Sequence, residues 1–415
     1  MKILLVTEDL PVTHLGGAGK HAVLLGNTLL QAGHHVEMLG RKRATGVDTA
    51  NGFDGVLHAD IDFAHTGWQE QAFGVFNPLS RLHKARRIWQ AIRRLGLKWD
   101  VIHYHGHVPI LGALVPEGVN FVHTLHDQGA ECITKIRFRD DAPCGLRDPV
   151  ACAACATVRP NMIQEAISTM AVRSLRKSAR NAFIRHQAIF VSQFLETRFR
   201  NATGPAPLRT TVIHNFIDTA QMRRTLGQVE PEDPNRSRPR VLLAGRIDRA
   251  KGFGAFLDMI PDTLLDKLDV VIAGDGPDVA SLRARHGVRR VTFLGWQELD
   301  AVLQATARAD ACVVPSICEE SCGTTILEAL SLGRPVYALR RGGTPELAIY
   351  EQRQGQLRLF DDMSELVAAL ADTACIEPPC NVSEYADVSQ RLPQILDVYS
   401  AGREASCSAG VRKEV

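Results

Sequence analysis

The sequence predicts an α/β protein of two doubly wound domains, each a parallel sheet clad by helices. Three observations predict it. At 415 residues the chain is longer than one typical hydrophobic core supports. Short apolar runs of buried-strand type recur in both halves, each ending in a polar or glycine-rich loop and followed by helically spaced apolar residues. Between the halves, Glu230-Pro231-Glu232-Asp233-Pro234-Asn235-Arg236-Ser237-Arg238-Pro239 reads as a linker without apolar residues. The expected organisation is a first domain over 1–227 with a Cys-rich insertion at 130–160, a linker at 228–240, and a second domain over 241–382. A returning helix at 383–401 and a tail at 402–415 follow.

Composition narrows the class. With 45% hydrophobic and 23% charged residues the chain is of ordinary soluble type. It has no run of eighteen apolar residues, and Met1-Lys2-Ile3-Leu4-Leu5-Val6 turns polar at once. Neither signal peptide nor membrane span is therefore expected, and the cytoplasm is the expected location, with peripheral attachment to the inner face of the cell membrane left open. Ten cysteines in such a chain point to reduced, metal-bound or catalytic thiols rather than a disulfide framework. The net charge of +2 hides an asymmetry: residues 1–225 carry 27 Lys+Arg against 18 Asp+Glu, or +9, and residues 226–415 carry 21 against 28, or −7. A basic first half suits an anionic surface or acceptor, and its charge is too diffuse for nucleic acid.

In order, residues 2–7 form a strand pattern leading to Gly16-Gly17-Ala18-Gly19-Lys20-His21, then a helix over 22–30 closed by Gly33, then a strand at 35–39. The glycines fit a G-x-G-x-x-A dinucleotide fingerprint with Glu37 as its ribose acid, but the loop before them is long where that fold needs a tight turn. A P-loop fails because His14 replaces its first glycine and His21 its Ser or Thr. Residues 81–99 are a basic amphipathic helix, with Leu82, Ala85, Ile88, Trp89, Ile92 and Leu95 on one face. Residues 100–103 and 121–125 are strands delivering His103, His105, His107, His123, His126 and Asp127. A second basic helix covers 173–185, and strands follow at 188–191 and 211–213. The second half repeats the scheme with strands at 241–244, 268–273, 291–294, 311–314 and 335–339.

The densest signal is Pro315-Ser316-Ile317-Cys318-Glu319-Glu320-Ser321-Cys322-Gly323-Thr324-Thr325-Ile326-Leu327-Glu328-Ala329-Leu330. A strand, a polar loop and a helix start place small residues where unpaired amides and the helix dipole receive an anion. Glu320 lies in the loop and Glu328 inside the helix, so a ligand with a charged middle and hydroxyl-rich ends fits.

This Glu-x7-Glu stretch resembles the signature of retaining nucleotide-sugar glycosyltransferases of the GT-B fold, in particular glycosyltransferase family 4. The resemblance is strong over 241–346, includes Gly245-Arg246-Ile247-Asp248-Arg249-Ala250-Lys251-Gly252 and Gly342-Gly343-Thr344-Pro345-Glu346, and is looser before. It implies two Rossmann-like domains facing across a cleft, with the last helix crossing back. It further implies Arg246 and Lys251 on the donor diphosphate, Glu320 on sugar hydroxyls, Glu328 on the ribose and His126 on the transferred sugar. Donor contacts fall by the same resemblance to Gly16, Gly17, Gly245, Gly274, Gly276, Gly295, Trp296, Ser321, Cys322, Gly323, Thr324 and Thr325.

The expected reaction is transfer of a sugar from a nucleoside diphosphate to a saccharide or lipid-linked hydroxyl with retention, in bacterial surface polysaccharide or lipopolysaccharide assembly. Two fixed cations can replace a catalytic metal, so no catalytic cofactor is expected. Asp60-Ile61-Asp62 matches the Asp-x-Asp text of metal-dependent transferases but lacks their setting. The alternatives are an NAD(P)-linked oxidoreductase using Gly17 and Glu37, and a transferase-like binding protein without turnover. Two further expectations come from residues rather than resemblance. Cys132, Cys144, Cys152 and Cys155 could hold a structural zinc, since Cys152-Ala153-Ala154-Cys155 has the C-x2-C spacing, while reduced thiols are the plain alternative. The basic faces of 81–99 and 173–185 could hold an anionic lipid surface.

Overall fold

The computed structural model describes every residue except 12–15, 43–51, 64–70, 73–74, 77, 156–160, 230–235, 288, 377–378, 380 and 412–415. Two compact units divide the chain. Unit 1 is Met1–Arg137, Cys144–His214 and Arg391–Val415; unit 2 is Phe138–Pro143 and Asn215–Gln390. The division thus falls at His214, ahead of the linker expected at 228–240, of which 230–235 lie outside the described residues.

The strands of unit 1 are β1 (Lys2–Val6), β2 (His35–Arg41), β3 (Val56–Ile61), the short ladder β4 (Gln71–Ala72) and β5 (Val75–Phe76), β6 (Val101–His105) and β7 (Phe121–Leu125). Then come β10 (Gln187–Phe190) and β11 (Thr210–Val212), numbered after the hairpin β8 (Phe138–Arg139) and β9 (Ala142–Pro143), which belongs to unit 2. Seven form one parallel sheet in the order β11-β10-β7-β6-β1-β2-β3. The central strand Lys-Ile-Leu-Leu-Val is apolar without alternation because both its faces are covered. Around it run α1 (Gly17–Gln31), α2 (Pro78–Leu95), α3 (Pro149–Ala153), α4 (Met162–Arg185) and α5 (Gln193–Thr203). Ala85, Ile88, Ala91 and Ile92 of α2 and Ala171, Val172 and Leu175 of α4 bury against Leu4, Val6, Ile102 and Tyr104. Helix α2 stops at Leu95, short of the expected 99, because Gly96 takes a left-handed φ of 83° that ends the helix.

Unit 2 has α6 (Thr219–Leu226), β12 (Arg240–Ala244), α7 (Phe253–Met259), α8 (Asp262–Leu265), β13 (Asp269–Ala273), α9 (Val279–His286) and β14 (Val291–Gly295). Then come α10 (Leu299–Arg308), β15 (Ala311–Val314), α11 (Thr324–Ser331), β16 (Val336–Leu339), β17 (Leu357–Phe360) and α12 (Met363–Ala369). Its parallel sheet runs β14-β13-β12-β15-β16-β17. Phe253, Phe256 and Leu257 of α7 and Leu366 and Val367 of α12 pack on Val241, Leu243, Ile272 and Val313.

Helix α13 (Val388–Val411) begins in unit 2 and belongs to unit 1 from Arg391 onward. Tyr399 anchors it there: the Asn120 amide donates to its carbonyl at 2.9 Å, and its hydroxyl lies 2.7 Å from His103 Nδ1. The helix was expected to end at 401. It runs ten residues further, through the stretch read as a tail, whose last four residues are outside the described ones.

Candidate active site

In each sheet the chain starts in the middle, winds to one edge and then restarts on the other side of the first strand. The reversal lies between β12 and β15 in unit 2 and between β1 and β6 in unit 1. At such a reversal the loops leaving the carboxyl ends diverge and open a crevice, the usual ligand position in open α/β sheets.

In unit 2 these loops are 245–252 after β12 and 315–323 after β15, and they are bonded together. The amides of Ile317 and Cys318 both donate to the Ala250 carbonyl at 2.9 Å. Gly252 packs so closely that a Cβ there would lie 2.0 Å from the Pro315 carbonyl oxygen. Asp248 caps the short turn Arg249–Lys251, its carboxylate accepting from the Lys251 amide at 3.1 Å. The turn aims the Lys251 ammonium at Glu320, where Nζ reaches Oε1 at 2.5 Å, and Ser316 Oγ donates to the same oxygen at 2.5 Å. Burial disfavours both charges, but the pair outweighs it: the Lys251 pKa is raised and the Glu320 pKa lowered, so both stay ionised. Both bonds fall on Oε1, and Glu320 Oε2 has no hydrogen-bond partner among the described residues.

Glu320 is braced from behind. The Gly343 amide donates to its carbonyl at 2.7 Å, and Gly342 (φ 60°) lies where a Cβ would come within 2.2 Å of that oxygen. Arg246 is 72% exposed and meets Asp248 at 3.1 Å, so its cation faces solvent. Gly323 caps α11 without a side-chain bond, and the amides of Thr324 and Thr325 have no backbone partner among the described residues. Ser321, Gly323, Thr324 and Thr325 are half-buried; Cys322 is buried, its carbonyl held at 2.8 Å by the Asn215 amide. Glu328 is half-buried, more than a turn into α11. Gly245, Gly274, Gly276 and Gly295 stand at the carboxyl ends of β12, β13 and β14, with Trp296, 39% exposed, beside them.

In unit 1 the carboxyl ends of β1, β6 and β7 gather a histidine-rich cluster. The His107 ring bonds Asp127 at 2.7 Å and its amide bonds Glu8 Oε1 at 2.8 Å. Burial pulls its pKa down, yet the bonds to Asp127 and Asp9 prevail and raise it to about 10. His21, His103 and His105 are fully buried, and burial pushes them well below the usual imidazole range. His126 lies just past β7, its Nε2 3.3 Å from His105 Nδ1. Gly16 caps α1 without a side-chain bond, and among the described residues nothing lies within 4 Å of where a Cβ on Gly16 or Gly17 would stand.

One sequence expectation, the cysteine ligand set, is corrected. Cys132, Cys144, Cys152 and Cys155 do not come together as three or more ligands for one ion; among the described residues the only such group is His21, His105 and His126. Cys132 Sγ lies 3.2 Å from Thr134 Oγ1, and Cys152 Sγ accepts from Arg176 at 3.3 Å. The placement does not fit zinc, because buried guanidinium groups organise the insertion instead. Arg137 pairs with Glu131 at 2.8 Å and donates to the carbonyls of Cys144 and Leu146; Arg176 donates to those of Glu131 and Arg147. Asp60 is paired with Arg94 and Asp62 with Lys42. Glu37 bridges His35 and His58 at 2.9 and 2.5 Å, so the acid required by the dinucleotide alternative is already engaged. Sequence reasoning assigned no role to Ser316, Asp248, Asn215 or His21, although Ser316, Asp248 and His21 stand inside stretches it quoted.

Comparison with known proteins agrees with this geometry. Residues 15–221 match the domain family described as Glycosyltransferase Family 4, and residues 238–374 match Glycosyl transferases group 1. The chain is built of glycosyltransferase domains of the GT-B fold. These domains are 25% identical over 379 residues to glycogen synthase of Mycobacterium tuberculosis, covering 85% of this chain and 81% of that one. They are 34% identical over 139 residues to the sulfoquinovosyl transferase SQD2 of Arabidopsis thaliana, a stretch covering 33% of this chain and a quarter (25%) of that protein. The crystal structure of Anabaena HepE with UDP and glucose is similar in fold, with a TM-score of 0.60 at 19% identity over 96% of this chain and 99% of that one.

Proposed function

We propose that this glycosyltransferase moves a sugar from a nucleoside-diphosphate sugar to a hydroxyl of a saccharide or lipid-linked acceptor, with retention of configuration. The observation that carries the reading is the Lys251–Glu320 pair beside the uncapped start of α11. The departing diphosphate gains negative charge as the glycosidic bond breaks. Lys251 and Arg246 supply fixed cations for it, and the Thr324 and Thr325 amides supply donors that need no reorganisation. Glu320 Oε2 orients the sugar through its hydroxyls, and Glu328 takes the ribose. His126 contacts the transferred sugar. Neither Glu is a covalent nucleophile: Glu320 is neutralised by its lysine, and the leaving phosphate itself takes the acceptor proton in a same-face attack.

The setting we propose is bacterial surface polysaccharide or lipopolysaccharide assembly. Exposed Arg86, Arg93 and Lys98 in and just after α2, and Arg173 and Lys177 of α4, would face an anionic membrane. No helix among the described residues is long and apolar enough to cross one.

A thermal-shift screen with UDP-, GDP-, dTDP- and ADP-sugars and with NAD tests the reading. A nucleotide sugar is expected to raise the melting temperature, followed by slow donor hydrolysis and a product of unchanged anomeric configuration. Stabilisation by NAD alone would overturn it in favour of the oxidoreductase. Donor binding without any hydrolysis or transfer would favour a binding protein.

A further inference from the structure

The switch point of the first sheet holds more imidazoles than one sugar contact requires. His21 on α1, His105 at the end of β6 and His126 after β7 each offer a ring nitrogen within 4.8 Å of the other two; two of the rings are buried and the third half-buried. His105 Nδ1 and His126 Nε2 are 3.3 Å apart, long for a hydrogen bond. It is close to the edge of a tetrahedron built on metal–nitrogen bonds of roughly 2.0–2.1 Å, which comes to about 3.3 Å.

A second observation points the same way. His105 Nε2 is buried and has no hydrogen-bond partner among the described residues, so apart from the long Nδ1 contact to His126 the fold engages neither nitrogen of this ring and leaves it available as a ligand. The rings are also held in place from below. His103 lies 4.0 Å from His105, centroid to centroid, and is itself fixed at 2.7 Å by both Tyr399 and Thr124.

We infer that His21, His105 and His126 form a binding site for one divalent d-block cation, of which Zn²⁺ and Co²⁺ are the probes, with the fourth position open. Three imidazoles select such an ion over Mg²⁺ or Ca²⁺, which demand oxygen ligands. The nearby carboxylates of Asp127 and Asp9 do not change that preference, since both pair with His107, at 2.7 and 3.6 Å. An ion here would occupy His126, so it would compete with the donor sugar. That regulatory consequence rests on the role proposed for His126; binding of the ion does not.

The test is a Co²⁺ titration of the full chain, read by visible absorption and calorimetry, with Zn²⁺ as competitor. One Co²⁺ per chain with nitrogen-type ligand-field bands is expected, displaced by Zn²⁺. Binding should weaken about tenfold or more in His126→Gln and in His105→Gln, since even loss of an outer-shell partner costs that much. His186→Gln, outside the cluster, should bind as the parent does. His126→Gln alters a half-buried ring and keeps the test valid if the His105 variant fails to fold. Absence of stoichiometric binding, equal binding by parent and His126→Gln, or the near-ultraviolet charge-transfer bands of thiolate ligation would each overturn the site. If the ion binds as stated but does not inhibit transfer, the role given to His126 fails and the site stands.

Discussion

Replacing Lys251 by Ala tests two separable consequences of one ion pair. The Glu320 side chain is only 12% exposed, so loss of the ammonium leaves a nearly buried carboxylate with Ser316 as its sole side-chain partner. Breaking a buried pair costs roughly 3–5 kcal/mol, and with Lys251 itself 33% exposed a discounted value of about 2 kcal/mol is expected. At about 2–4 °C per kcal/mol, the melting temperature should fall by roughly 4–8 °C. Turnover should fall about a hundredfold, the scale for removing one preorganised group that stabilises transition-state charge. The double variant Lys251→Ala, Glu320→Gln separates the two effects. Neutralising the orphan carboxylate should return stability to within about 1 kcal/mol of the parent, while turnover stays low because the cation is still missing. Denaturation read by circular dichroism and nucleotide release from the donor found in the ligand screen are the assays. Near-parental turnover in the single variant with a native-like spectrum would refute the assignment. Recovery of rate in the double variant would show that the loss came from local unfolding and not from chemistry.

Glu328→Ala should raise the donor dissociation constant more than it lowers turnover, because a ribose contact is the same in ground and transition states; an unchanged constant by calorimetry counts against it. Gly274→Ala should cost several kcal/mol and lower the yield of folded protein, since its Cβ would lie 1.8 Å from the Gly245 carbonyl oxygen at a φ of 152°; a parental melting curve would contradict that packing. Stability should fall as pH drops from about 6.5 toward 4, because burial lowers His123 and His186 to about 4 and the unfolded chain takes up their protons first. Each contributes about 3 kcal/mol at the acid end, and His123→Gln should flatten the urea-midpoint profile there. His107, raised to about 10, has the opposite sign: its contribution is complete below about 6.5 and fades as pH climbs toward 10. The protein should co-sediment with anionic but not neutral vesicles and release as salt rises; equal binding to both would assign α2 and α4 no role beyond covering the sheet.

What the sequence disclosed follows burial. Central strands such as β1, β12 and β15 are covered on both faces and read as unbroken apolar runs, so they were legible. The edge strands β3 (Val-Leu-His-Ala-Asp-Ile) and β17 (Leu-Arg-Leu-Phe) were not, because an edge position tolerates polar residues that break such a run. Helix α13 was expected to stop at 401, since beyond it Gly402, Arg403, Glu404 and Ser406 lack an apolar stripe. Gly402 instead sits tightly against Asn120, where a Cβ would meet Oδ1 at 2.1 Å, a contact that joins residues far apart in sequence. The insertion at 130–160 misled for a related reason. C-x2-C spacing is local and visible, whereas four of the bonds made by Arg137 and Arg176 go to backbone carbonyls, which carry no residue signature.

Three glycines of unit 2 pack backbone against backbone. Gly252 meets the Pro315 carbonyl, Gly274 that of Gly245, and Gly342 that of Glu320, in each case closer than a Cβ allows. These three contacts tie together the loops after β12, β13, β15 and β16, which deliver Arg246, Lys251, Glu320 and the start of α11. A fixed charge stabilises a developing charge only if it need not move to do so, and a tether through side chains would let these loops shift by a rotamer. Backbone packed on backbone has no such freedom. A glycine pattern that looks in the sequence like a phosphate cradle is therefore, at these positions, the means by which one cation and one carboxylate from separate loops are held within 2.5 Å of each other before any substrate arrives.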